Sequence, residues 1–221
     1  PLIVGHPGGR GVVTTACYIA RQFGPRSAMP MFKAMEMCPQ AVVVPPNMAK
    51  YKSVSQDIRS IFRDATPIIQ PVSLDEAYLD LSDEARADGE GEWEGPPAIA
   101  LADVARRIER EIGITVSIGL SHNKFLAKLA SDLEKPRGYS VIGRDETKSF
   151  LAPLPVRKIN GVGEVTAHKM IETGIETIGQ LQEMAEAELV GRFGKFGRQL
   201  AGYAQGLDNR KVTIGEPAKS V

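Results

Sequence analysis

The chain has 221 residues, enough for one large domain or two small ones, and 43% of them are apolar, so a packed core is expected and disorder is not. Lys plus Arg and Asp plus Glu number 27 each, so net charge favours no class of partner. Two cysteines and three scattered histidines exclude a disulfide framework and a zinc site, and no apolar run reaches the length of a membrane span.

The elements follow in chain order. Leu2–Val4 and Gly11–Thr15 read as strands around Gly5-His6-Pro7-Gly8-Gly9-Arg10. That glycine cluster lacks the Gly-Lys-Ser/Thr ending of a phosphate loop, so a hairpin turn is expected. Ala16–Phe23 reads as a short helix. Within it Tyr18 and Arg21, three apart, share a face. A phenol and a guanidinium fork suit a phosphate oxygen, with Thr14 and Thr15 adding hydroxyls; the plainer alternative is a surface cation beside a half-buried ring. Met31–Met37 is a second helix, opened by Pro30 and stopped before Pro39. Asn47 caps a longer one to about Asp64, with Tyr51, Val54, Ile58, Ile61 and Phe62 as its apolar stripe.

Gln70–Leu81 alternates apolar and polar residues about Asp75-Glu76, the pattern of a hairpin with one buried face. A two-residue tip is expected there. Asp-Glu suits such a tip poorly, because positive φ is needed. Broken local rules gather at functional sites, and adjacent carboxylates can hold a hard cation. A solvated acidic turn is the other reading. Nine acidic residues and one basic one lie between Asp75 and Glu94. Ser82–Pro97, rich in Gly and Pro, reads as a loop in which Trp93 is a local anchor.

Ala98–Ile112 is predicted helical, Ile114–Leu120 a strand, and a helix beginning at Ser121 or Asn123 runs through Leu133 on Phe125, Leu126 and Leu129. Lys135-Pro136 follows, with the proline ending the helix and leaving Lys135 at its edge. That lysine either binds a triphosphate or complements the helix dipole. Strands and helices alternate to about Ile142, an α/β layer. Beyond Asp145 only short helices are expected, at 147–151, 153–158, 164–173, 177–184, 186–191 and 194–204. Between two of them, Gly161-Val162-Gly163 has the pattern of a helix-hairpin-helix, which grips a nucleic-acid phosphate through backbone amides, or of a plain turn. Arg192–Arg198 reads as a helix start carrying two core rings.

Taken together, the stretches Gly11–Gly24, Arg26–Pro30, Ser73–Asp80, Asn123–Asp132 with Lys135-Pro136, and Gly161–Gly163 resemble the Y-family translesion DNA polymerases, most closely their bacterial members. The resemblance spans nearly the whole chain. It implies an α/β (α+β) palm with helical fingers, followed by an all-α thumb with a helix-hairpin-helix. The divisions it implies are 1–66 for the first palm residues and fingers, 67–143 for palm, and 144–221 for thumb. It implies that Asp75 and Glu76 are catalytic and bind two Mg²⁺. It further implies that Thr15, Tyr18, Arg21 and Lys135 contact the phosphates of a dNTP, and that Gly161 and Gly163 hold DNA. The implied activity is template-directed extension of a primer in the bacterial cytoplasm, with a sliding clamp as partner of a longer parent and no membrane. The family's first palm strand and helix, with a further metal-binding Asp and the ribose-excluding aromatic, are expected before Pro1, and its little finger domain after Val221. The fragment by itself is therefore expected to be inactive. The rival reading is a non-catalytic DNA-binding relative or scaffold.

Overall fold

The computed structural model describes residues 1–7, 11–83, 85 and 95–214. The tip of the first glycine turn, most of the Ser82–Pro97 stretch and Trp93 lie outside them. The chain forms two compact units, Pro1–Gln56 and Asp57–Val221.

In the first unit, β1 (Leu2–Gly5) is the centre of a three-stranded sheet. It pairs antiparallel with β2 (Val13–Ala16) and parallel with β3 (Val42–Val44). Fully buried Ile3 anchors the core here, with Val13, Ala16, Ala20, Met31, Ala34 and Cys38 around it. The first helix begins later than expected. Ala16 is still paired with Ile3, so α1 (Tyr18–Gln22) starts after Cys17, whose sulfur accepts the Ala20 amide proton. Helix α2 (Met31–Met37) has the expected bounds. Strand β3 was not anticipated. Three valines are too few to show a period, and only the parallel partner β1 defines them as a strand.

Helix α3 (Met48–Ala65) opens on Asn47, whose side chain accepts the Lys50 amide proton at 3.0 Å. In the second unit its last turns pack Ile61 and Ala65 against Val104 and Ile108 of α4 (Pro97–Ile112). Strands β4 (Ile69–Pro71) and β5 (Ala77–Leu79) form an antiparallel pair. Strand β6 (Ile118–Ser121) pairs parallel with β7 (Tyr139–Ile142). It is shorter at its start than the alternation from Ile114 implies, because β7 supplies partners only from Ile118 onward.

Helix α5 (Lys124–Ser131) connects β6 toward β7, capped by Asn123, which accepts the Leu126 amide proton at 3.0 Å. It lies directly on β6. A Cβ on Gly119 would come within 2.0 Å of the Ala127 carbonyl oxygen, so only glycine allows this approach. The opposite face of α5 buries Phe125, Leu126 and Leu129 in the largest core, shared with Leu151, Ile159, Met170, Ile178 and Leu200. Phe125 stacks on Tyr203 with ring centres 4.2 Å apart.

The C-terminal helices are α6 (Thr147–Leu151), α7 (Glu164–Glu172), α8 (Ile178–Gln182), α9 (Glu186–Phe193) and α10 (Lys195–Ala204). The helix expected over 153–158 is only a 3₁₀ turn, Val156–Lys158, since Pro153 and Pro155 deny it earlier amide donors. Helix α8 is held at its start by a reciprocal pair of bonds between Thr177 and Gln180.

Candidate active site

Asp75 and Glu76 lie in the connection between β4 and β5, but not at a two-residue tip. Pro71 faces Ala77, and five residues, 72–76, make the turn. The Glu76 carbonyl closes it by accepting from the amides of Val72 at 2.8 Å and Ser73 at 3.2 Å. The Ser73 hydroxyl donates to Asp75 Oδ1 at 2.6 Å, and Arg59 donates to the Ser73 carbonyl at 3.2 Å. The longer turn removes the conformational conflict: neither Asp75 nor Glu76 has a positive φ. Asp75 is exposed and Glu76 half-buried.

Glu76 is the end of a chain of charges. Lys128 Nζ on α5 lies 2.7 Å from Glu76 Oε1 and 3.2 Å from Asp132 Oδ2. Asp132 Oδ1 lies 2.5 Å from Lys135 Nζ. The helix stops at Ser131, capped by Asp132, so Lys135 stands beyond the helix edge rather than at it. Burial pushes the Lys128 ammonium down, and the Glu76 and Asp132 carboxylates more than offset that, leaving it above its ordinary value. Burial pushes Asp132 up, and its bonds from Lys135 and Lys128 more than offset that, leaving it below the usual carboxylate range.

Helix α5 also faces the predicted hairpin. Lys128 and Asp132 line one wall of a cleft of about 480 Å³, and Arg157, Lys158, Asn160, Gly161 and Gly163 line the other. Ile159 and Val162 point into the core and pin the hairpin from within. Gly161 has φ +99°, which a side chain would strain, and a Cβ there would meet the Phe196 ring at 3.2 Å. Gly163 begins α7 without a side-chain cap, and no atom lies within 4 Å of the position a Cβ would take. First-turn amides at such an end point outward and favour an anion.

In the first unit Thr15, Tyr18 and Arg21 come together. Arg21 Nε donates to the Ala16 carbonyl at 2.8 Å and a terminal nitrogen to Thr15 Oγ1 at 3.4 Å. Its guanidinium carbon lies 5.1 Å from the centre of the Tyr18 ring. Arg26 donates to the Arg21 carbonyl at 2.6 Å and steadies the helix end.

Sequence reasoning missed the ion pairs of Lys128 and Asp132. Their spacing of four, with Lys135 three further on, was the available signal. Among the described residues, no group of three or more His, Cys, Asp and Glu side chains is arranged to hold a metal ion. No helix there is long and apolar enough to cross a membrane.

Known proteins share the fold of this chain. Residues 1–132 match the family model described as impB/mucB/samB family, and residues 157–208 match one described as the thumb domain of DNA polymerase-iota. DNA polymerase IV of Brucella melitensis is 54% identical over the whole chain, which spans 48% of that protein. DNA polymerase IV of Caulobacter vibrioides is 49% identical, with the chain spanning 53% of it. The crystal structure of DinB from Sulfolobus solfataricus superposes with a TM-score of 0.85 at 33% identity, covering 96% of this chain and 61% of that one. An insertion ternary complex of Dbh DNA polymerase gives 0.84 at 32% identity over the same shares. The chain thus spans about half the length of the curated relatives it matches. The mixed α/β core, the helical C-terminal part with its hairpin and these matches agree: the chain belongs to the impB/mucB/samB family, that of the Y-family DNA polymerases.

Proposed function

We propose that this chain is the larger part of the catalytic core of an error-prone, translesion DNA polymerase, active in a full-length parent. The reaction is nucleotidyl transfer: the primer 3′ hydroxyl attacks the α-phosphorus of a dNTP and pyrophosphate leaves. Residues 1–66 supply the first palm residues and the fingers, 67–143 the palm and 144–221 the thumb. The observation that carries this reading is the unbroken ion-pair chain from Glu76 through Lys128 and Asp132 to Lys135. It links a carboxylate suited to a cation with an ammonium suited to a triphosphate.

The donors at the hairpin fit Mg²⁺ in kind, being carboxylate oxygens, and two side chains fall short of a full set, as expected of an ion that keeps waters and substrate oxygens as ligands. Asp75 and Glu76 would hold it. When bound, a pair of such ions supplies positive charge at the attacking and departing oxygens. The rest falls to the chain's own groups. Lys135 neutralises charge on the triphosphate, as do Tyr18, Arg21 and the Thr15 hydroxyl. The amides at Gly161 and Gly163 hold a DNA phosphate without reading sequence. The partners are primer-template DNA and dNTP, with a sliding clamp recruiting the parent in the bacterial cytoplasm.

Asp75→Asn tests the reading. The amide keeps the Ser73 contact but lacks the charge a cation needs. In the full-length parent, primer extension is expected to vanish while thermal unfolding is unchanged. Extension at the unmodified rate would refute the role of the acid pair.

A further inference from the structure

Lys128 and Asp132 each divide themselves between two partners. The Lys128 ammonium, with three protons to donate, serves Glu76 at 2.7 Å and Asp132 at 3.2 Å. Asp132 uses Oδ2 for Lys128 and Oδ1 for Lys135 at 2.5 Å. The four groups alternate in sign and sum to zero. An alternating chain of this kind has two arrangements. If Lys135 leaves Asp132 for another anion, Asp132 retains Lys128 as its partner and draws that ammonium inward. Glu76 is then released. If instead a cation takes Glu76, it repels Lys128 toward Asp132, and the hold on Lys135 loosens. Each event favours the other, and the coupling is reciprocal.

We propose that Asp132 is a positioning residue that couples cation binding at Glu76 to anion binding at Lys135, by taking up whichever ammonium the other site gives back. This rests on the reading of Glu76 and Lys135 given above. It goes beyond that reading in assigning a task to Asp132, which the reading places on neither the cation nor the nucleotide. The geometry makes Asp132 the shared member: among the described residues it is the one whose side chain pairs with both lysines, each on a different carboxylate oxygen.

The test needs neither nucleotide nor turnover. Mn²⁺ binding to the full-length parent is followed by the loss of the free-ion signal in electron paramagnetic resonance. Four proteins form a cycle: the unmodified chain, Lys135→Met, Asp132→Asn and the double variant. Lys135→Met imitates withdrawal of the ammonium by a phosphate. It is expected to tighten Mn²⁺ binding about fivefold, the lower end of measured coupling between sites. Asp132→Asn weakens binding, because Lys128 then has only Glu76. In the Asp132→Asn background, adding Lys135→Met is expected to change nothing. Simple long-range electrostatics predicts instead that the two effects multiply, and an independent fivefold gain in the double variant would overturn the proposal. Asp75→Asn separates the two levels of inference. If the unmodified parent has no Mn²⁺ site that Asp75→Asn removes, the active-site reading fails and the coupling with it. If that site exists and the effects multiply, the coupling alone fails.

Discussion

At the scale of single residues, Lys135 is paired with Asp132, and the proposed function has it leave that partner for a phosphate. Substituting it removes a charge-assisted contact that is worth about 1.5–3 kcal/mol where it forms. Lys135→Ala in the full-length parent is therefore expected to raise the KM for dNTP at least tenfold, with a smaller change in kcat; single-nucleotide kinetics check this, and an unchanged KM would remove Lys135 from the nucleotide site. Asp75, Glu76 and Lys135 could be singled out as candidates in the sequence because each sits in a short run with its own logic: an acid pair between apolar alternations, or a lysine before a proline. Asp132 and Lys128 were not, since a helix surface commonly carries such pairs. Their meaning appears only when the β4–β5 turn brings Glu76 to α5.

At the scale of elements, α5 does three things at once. One face rests on β6 at Gly119, a second fills the main core, and the edge between them carries Lys128 and Asp132 toward the cleft. Gly119→Ala is expected to force α5 off the strand, because backbone atoms of Ala127 and Ser131 would lie within 2.5 Å of the new methyl group and cannot swing aside. An unfolding midpoint lower by several degrees is predicted, on the scale of an overpacked core at about 1–3 kcal/mol; an unaltered midpoint would show that the helix can retreat freely. Leu126, fully buried, should cost about 2–5 kcal/mol on change to alanine by the same measurement. The helices were well marked by spacing and caps, Asn47 and Asn123 above all. Beyond the late start of α1 and the 3₁₀ turn in place of the 153–158 helix, the failures were at strands. Val42–Val44 carries no period, and Ile114–Val116 alternates without a partner, so pairing partners far along the chain decided both. The turn at 72–76 was misjudged for a related reason. Alternation shows which face is buried but not where the ladder of bonds ends.

At the scale of the whole chain, the segment after α10 returns to α5. Asp208 Oδ2 accepts the Phe125 amide proton at 3.0 Å and pairs with Arg210 at 2.7 Å, and Asn123 donates to the Gly206 carbonyl at 2.8 Å. Burial lifts the Asp208 carboxyl, but the bonds from Arg210 and the Phe125 amide outweigh it, leaving the group below the usual carboxylate range. A carboxylate held low when folded contributes stability that is present above its unfolded value, about pH 4, and lost as pH falls through its folded value. Urea midpoints are expected to fall as pH drops below about 4, and Asp208→Asn should flatten that acid limb while lowering the midpoint at pH 7. An acid limb identical in both proteins would contradict the role of this contact. No local pattern in residues 205–214 announced it, since its partners lie more than eighty residues earlier.

The central claim is that the acids of the 72–76 turn and Lys135 serve one nucleotide. Anomalous diffraction from crystals of the full-length parent, grown with primer-template DNA, a non-hydrolysable dNTP and Mn²⁺, tests it most directly. The account predicts anomalous peaks within coordination distance of Asp75 and Glu76, with triphosphate oxygens beside the Lys135 ammonium. A bound nucleotide whose metal ions lie away from those two carboxylates would contradict it.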